Sequence, residues 1–131
     1  AAHEIPYMAT ASISYPQDLE QKVRRAKGIK GFRFIHILIP CPTGWLYATK
    51  DSVKLGRLAV LSRIFPLYEV FGGKQYRLSP MGEKVPVHEY VASQGRFKGL
   101  SEEAIQGIQG NVDQDWRELQ DLAARSKEGR S

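Results

Sequence analysis

The sequence predicts an α/β fold, and three observations predict it. A strand-like segment over residues 5–13, a helical pattern and a second strand-like run over 33–40 follow one another, the order of one βαβ unit. The second run, Phe34-Ile35-His36-Ile37-Leu38-Ile39, is almost continuously apolar, as in a strand covered on both faces. Gly72-Gly73 separates two β-rich runs, as a two-residue hairpin turn requires.

In chain order, Ile5-Pro6-Tyr7-Met8-Ala9-Thr10-Ala11-Ser12-Ile13 reads as a short buried strand. Ser14-Tyr15-Pro16 then opens a helix, with proline at its first position. Asp18 and Glu20 early, and Lys27 and Lys30 late, complement the helix dipole. Leu19, Val23 and Ala26 form its apolar stripe, and Gly28 and Gly31 end it. The two strands flanking this helix are expected to be parallel, with a right-handed crossover. Ligands in such sheets bind at the carboxyl ends of the strands, which here are the segments around 12–14 and 40–45. A second helix is expected over about 51–63, with Val53, Leu58, Leu61 and Ile64 near helical spacing. The hairpin follows over 66–78, then a short helix over 86–94. Ser101-Glu102-Glu103 caps and starts a longer helix carrying Ile105, Ile108, Val112, Leu119 and Leu122 on one side. Gly107 and Gly110 weaken it by about 1 kcal/mol each, enough for a bend or break. Residues 126–131 are expected to fray. We divide the chain into the βαβ part, 1–65, and the hairpin and helical extension of the same domain, 66–131.

A length of 131 residues suits one domain or a part of a larger one. No apolar run approaches the roughly 20 residues that span a bilayer, so no membrane role is expected. No signal peptide is visible, and a single cysteine argues against a disulfide-built secreted scaffold, so a cytoplasmic protein is expected. The chain starts Ala1-Ala2-His3 without methionine, which reads as a lost start or a piece of something longer. The formal charge of +5 owes much to Lys22, Arg24, Arg25, Lys27, Lys30 and Arg33. Such a patch could read nucleic acid, but no aromatics interleave with it, and a solvated helix face is the better expectation.

Few residues are candidates for chemistry. There is no Gly-x-Gly-x-x-Gly, no Walker loop and no Gly-x-Ser-x-Gly. His3, His36 and His88 are far apart, without partners at metal-ligand spacing, and His36 reads as a satisfied interior histidine. Trp45 and Trp116 read as packing residues. Cys41 remains, in Ile39-Pro40-Cys41-Pro42-Thr43-Gly44-Trp45 at the end of the second strand. It is either an inert buried thiol, the common fate of a free cysteine, or a displayed ligand. One thiolate cannot hold an iron–sulfur cluster, which normally takes four.

Several segments together resemble a known family. They are Tyr7-Met8-Ala9-Thr10-Ala11-Ser12, Tyr15-Pro16, the run from Phe34 through Cys41-Pro42-Thr43-Gly44-Trp45, Gly56-Arg57-Leu58-Ala59-Val60, Phe65-Pro66-Leu67-Tyr68-Glu69, Tyr76-Arg77-Leu78, Val87-His88-Glu89-Tyr90 and Gln94-Gly95-Arg96-Phe97. In order and spacing they resemble the carboxyl-terminal half of the β subunit of 2-oxoacid:ferredoxin oxidoreductases, pyruvate synthase among them. The resemblance implies an incomplete parallel-sheet thiamine-diphosphate-binding fold. It implies, for the complete enzyme, thiamine diphosphate with Mg²⁺ and a [4Fe-4S] cluster. It further implies oxidative decarboxylation of a 2-oxo acid to acyl-CoA, with electrons passed to ferredoxin, and partner subunits of α, γ and δ type. Cys41 matches the position of the fourth cluster cysteine, and is the one cofactor-binding and metal-ligating residue the resemblance assigns here. The family's Gly-Asp-Gly…Asn diphosphate motif and its three early cysteines are absent from this sequence. The chain alone is therefore expected to hold neither cofactor and to be inactive. A non-enzymatic α/β partner-binding module is the competing reading.

Overall fold

The computed structural model describes residues 5–128, so His3 lies outside the described residues. Strand β1 spans Tyr7–Ser12, helix α1 Pro16–Lys27 and strand β2 Arg33–Leu38. β1 and β2 are parallel, in register from Tyr7 opposite Arg33 to Ser12 opposite Leu38. The expected βαβ unit is present. Pro16 opens α1 because its missing N–H is one the first turn leaves unbonded anyway.

The hairpin joins the same sheet. Strand β3, Tyr68–Phe71, runs antiparallel to β1, and β4, Gln75–Leu78, runs antiparallel to β3. The order is β2-β1-β3-β4, a mixed sheet with one parallel and two antiparallel pairings. Gly72 and Gly73 turn the chain at φ 61° and 72°, a conformation that side chains with a Cβ resist.

The helical segments come next. A one-turn helix, α2, spans Pro42–Trp45, and α3 spans Ser52–Leu61 behind a 3₁₀ turn at Thr49–Asp51. Short α4 covers Val87–Ala92, a second 3₁₀ turn Gly95–Phe97, and α5 Glu102–Glu128. The main core gathers Leu55, Leu58 and Ala59 of α3 with Val87, Tyr90 and Val91 of α4, under Ile105, Ile108 and Val112 of α5. A smaller cluster of Val60, Leu67 and Met81 lies beside it.

Four expectations need correction. The stripe of α1 does not bury Val23, which is exposed; the helix buries Lys22, only 1% accessible. Its Nζ donates to the carbonyl of Thr10 at 2.8 Å and to Asp18 Oδ2 at 2.6 Å. The helix turns this side inward because the sheet face beneath it offers a carbonyl and, at Glu69, a carboxylate. In α3, Val53 is exposed and Leu55, Ala59 and Val60 are buried instead. β2 is not covered on both faces: it is an edge strand with Phe34 and Ile37 exposed, flanked by exposed Phe32 and Ile39. Finally, α5 does not break at Gly107 and Gly110, and it is still helical from Ser126 to Glu128; the remainder of the end expected to fray, 129–131, lies outside the described residues. The Cβ positions of the two glycines face open space. Ser126 Oγ accepts the Tyr76 N–H at 2.8 Å, tying the far end of the helix to β4. At its start, Ser101 Oγ accepts the Ala104 N–H at 3.1 Å, the cap the sequence predicts.

Candidate functional site

The candidate site is the turn at the carboxyl end of β2. Two prolines shape it. Pro40 is buried at the strand end, and Pro42 keeps the residue before it out of helical conformation, so Cys41 is extended at φ −113°, ψ 107°. Pro42 then starts α2, which makes Cys41 its N-cap. Where a cap is usually a hydroxyl or carboxylate, here the sulfur serves: Cys41 Sγ accepts the Gly44 N–H at 3.3 Å. The Trp45 N–H reaches the Cys41 carbonyl at 2.9 Å, and the Tyr47 N–H reaches the Pro42 carbonyl at 3.2 Å, closing the turn. Within this chain Cys41 is exposed, with its sulfur at the surface of the turn.

The turn rests on its neighbours. A Cβ on Gly56 of α3 would lie 2.0 Å from Ser14 Oγ and 3.3 Å from Pro40 Cγ, so α3 presses against the ends of both parallel strands. Trp45 points back into the main core, edge-on to Tyr90 at 6.1 Å between ring centroids. Both tryptophans pack as expected, Trp116 against the smaller cluster.

The histidines do not join this turn. His36 is exposed on β2, contrary to its interior reading, with its ring edge-on to Phe65 at 5.2 Å. It is exposed because β2 is at the sheet edge. His88 is exposed, 3.9 Å from Glu102. Among the described residues no group of three His, Cys, Asp or Glu side chains could hold a metal ion. Cys41 therefore offers one soft ligand and no closed site.

A second titratable cluster lies between α1 and the sheet, and the sequence analysis missed it. Glu69, nearly buried on β3, accepts from the Tyr7 hydroxyl at 2.7 Å, from Arg77 at 3.1 and 3.3 Å, and from Arg25. Burial alone would raise the Glu69 pKa, but the Tyr7 hydroxyl and the two guanidiniums outweigh it and hold the carboxyl below its ordinary value. Burial and the adjacent carboxylate push the Tyr7 hydroxyl well above the usual tyrosine range. Burial lowers the Lys22 pKa, against the pull of Asp18. Every charge here has partners on the protein, so the cluster reads as structure. It also engages two of the six basic residues of the patch, Lys22 and Arg25; a third, Arg24, pairs separately with Glu20 on the exposed helix face. None of the helices is long and apolar enough to cross a membrane, among the described residues.

No protein-family model matches the chain. It is similar to ketoisovalerate oxidoreductase subunit VorB of Pyrococcus furiosus, at 44% identity over 93% of this chain and 40% of that protein. It is also similar to pyruvate synthase subunit PorB of Methanocaldococcus jannaschii, at 46% identity over 87% of this chain and 38% of that protein. With subunit PorB of Methanothermobacter marburgensis it shares 47% identity over 91% of this chain and 41% of that protein. The chain thus spans about two-fifths of the length of these relatives. Its sequence is homologous, along nearly all of it, to a portion of the β subunit of 2-oxoacid:ferredoxin oxidoreductases.

Proposed function

We propose that this chain is the part of a 2-oxoacid:ferredoxin oxidoreductase β subunit that supplies one thiolate, Cys41, to a [4Fe-4S] cluster. One observation carries the reading. In a segment homologous to oxidoreductase subunits, the sole cysteine is exposed at the carboxyl end of a parallel strand, with its sulfur oriented by the Gly44 N–H. The donor fits one position of a four-thiolate set, and the other three thiolates come from outside this chain. The N–H directed at the sulfur stabilises negative charge on it, and hydrogen bonds of this kind tune cluster potentials.

Thiamine diphosphate and Mg²⁺ do not fit the residues of this chain, which has no Gly-Asp-Gly motif, and no step is assigned to it there. In the complete enzyme the thiamine cofactor supplies the carbanion chemistry that releases CO₂ from a 2-oxo acid, and the cluster relays single electrons. CoA takes the acyl group, ferredoxin the electrons, and the remaining subunits complete the sites. On this reading the substrate is a short 2-oxo acid, pyruvate or its branched-chain counterpart, and the enzyme is cytoplasmic. The chain's own share is to hold one ligand in place at the carboxyl edge of the sheet.

The test is Cys41→Ser in the assembled enzyme. A serine hydroxyl is a poorer ligand for iron. Iron content and the EPR signal of the cluster should fall or change, and ferredoxin reduction should fall with them, while thiamine diphosphate binding stays. Normal cluster content and normal ferredoxin reduction would refute the assignment and favour the partner-binding module.

A further inference from the structure

Two segments far apart in the sequence, residues 41–47 and 94–97, meet in the fold. The N–H of Gly95 donates to the carbonyl of Leu46 at 2.8 Å. Leu46 sits at φ 57°, a left-handed conformation costly for a residue with a Cβ, directly after α2. A Cβ at position 95 would lie 2.8 Å from Leu46 Cβ and 2.9 Å from its carbonyl oxygen, so only glycine permits this approach. One residue on, the Arg96 guanidinium lies 4.3 Å from the centre of the Trp45 ring and 4.5 Å from that of Phe97. Its plane is fixed by two further bonds. Nε donates to Gln94 Oε1 at 2.7 Å, and Nη2 donates to the Tyr90 hydroxyl at 3.0 Å. Gln94 is itself buried and donates to the Tyr90 carbonyl at 2.9 Å.

We infer that Gly95 and Arg96 form a latch that positions the Cys41 sulfur. This rests on the reading of Cys41 as a cluster ligand. α2 is a single helical turn, too short to be stable by itself. Its orientation must therefore come from outside it. The Cys41 carbonyl and the Trp45 N–H are bonded across that turn, so the ring of Trp45 and the carbonyl of Leu46 set where the turn, and the sulfur at its start, can lie. The latch grips the turn at those two points. Arg96 is an exposed charged residue that adds little apolar burial to the core. Its bonds serve to hold a flat cation against Trp45. Groups bonded directly to a ligand commonly change metal affinity by 10–100-fold. The latch acts one step further out, through Trp45 and Leu46, so its effect falls at or below the lower end of that range.

The test uses the assembled enzyme with the full-length subunit. Arg96→Lys keeps the charge and loses the planar two-donor fork. Gly95→Ala inserts the clashing Cβ. Ile108→Val trims the same core from α5 and serves as the packing control. Three quantities are read: the rate of cluster loss to an iron chelator, the EPR line shape of the reduced cluster, and the melting temperature of the assembly. Arg96→Lys should speed cluster loss by up to about 10-fold and alter the line shape. Its melting temperature should stay within the range set by Ile108→Val, which itself leaves cluster loss and line shape unchanged. Wild-type loss rates and line shape in Arg96→Lys would overturn the latch, and that variant decides the matter if Gly95→Ala does not assemble. Equal acceleration by Ile108→Val would also overturn it, since any loosening of the core would then suffice. Cys41→Ser in the same series separates the two readings. A damaged cluster in Cys41→Ser with a normal one in Arg96→Lys removes the latch alone; a normal cluster in both removes both.

Discussion

Replacing Glu69 by glutamine should cost about 2–3 kcal/mol of stability at neutral pH. The carboxylate takes bonds from Tyr7, Arg25 and Arg77 at once. Removing one partner of a fully buried pair costs about 3–5 kcal/mol, because the other charge is left without compensation. Here the arginines remain 35% and 44% exposed, so water recovers part of that cost and brings it down to about 2–3 kcal/mol. Glutamine can still accept the Tyr7 hydroxyl, but it turns an amide N–H₂ toward cations. The assay is denaturant unfolding of the full-length subunit followed by far-UV circular dichroism, at neutral pH and along an acid series. The pH series has a definite sign. The carboxyl is held below its ordinary pKa in the folded state, so its contribution is complete above the unfolded value of about 4.3 and is lost as pH falls through the folded value. The glutamine variant has no such group, so the gap between the two proteins should close in acid. A variant within about 0.5 kcal/mol of the parent at neutral pH, or a gap that stays constant through the acid limb, would refute the argument.

The glycines of α5 give a prediction of opposite sign. Gly107→Ala and Gly110→Ala should each stabilise the protein by up to about 1 kcal/mol, since both positions are helical and their Cβ atoms would enter open space; unchanged or lower denaturation midpoints would count against this. The edge of β2 gives another. The 131-residue chain alone should self-associate through its unpaired strand edge and the exposed Phe34 and Ile37, and Phe34→Lys should reduce that association in sedimentation velocity. A monodisperse, cooperatively melting monomer of the unaltered chain would refute it.

The sequence by itself determined the elements whose causes are local. Pro16 marks the start of α1, Gly72-Gly73 the hairpin and Ser101 the start of α5, because each is a backbone requirement that one or two residues satisfy. The parallel pairing of β1 and β2 also followed, since a helix between two strands leaves few other routes. Cys41 stood out for the same reason: two prolines and a glycine around a thiol specify a turn. The tertiary structure decided what depends on groups distant in the chain. Lys22 is buried and Val23 exposed because of a carbonyl on β1 and a carboxylate on β3, which helical periodicity does not see. β2 is apolar like an interior strand yet lies at an edge, because hydropathy records what a strand is suited to meet and not whether this stretch of chain supplies it. The contact between residues 94–97 and the Cys41 turn belongs to the same class. Both segments were recognisable separately, but a hydrogen bond from Gly95 to Leu46 and a guanidinium over Trp45 exist only once α3, α4 and α5 have packed and brought the two turns together.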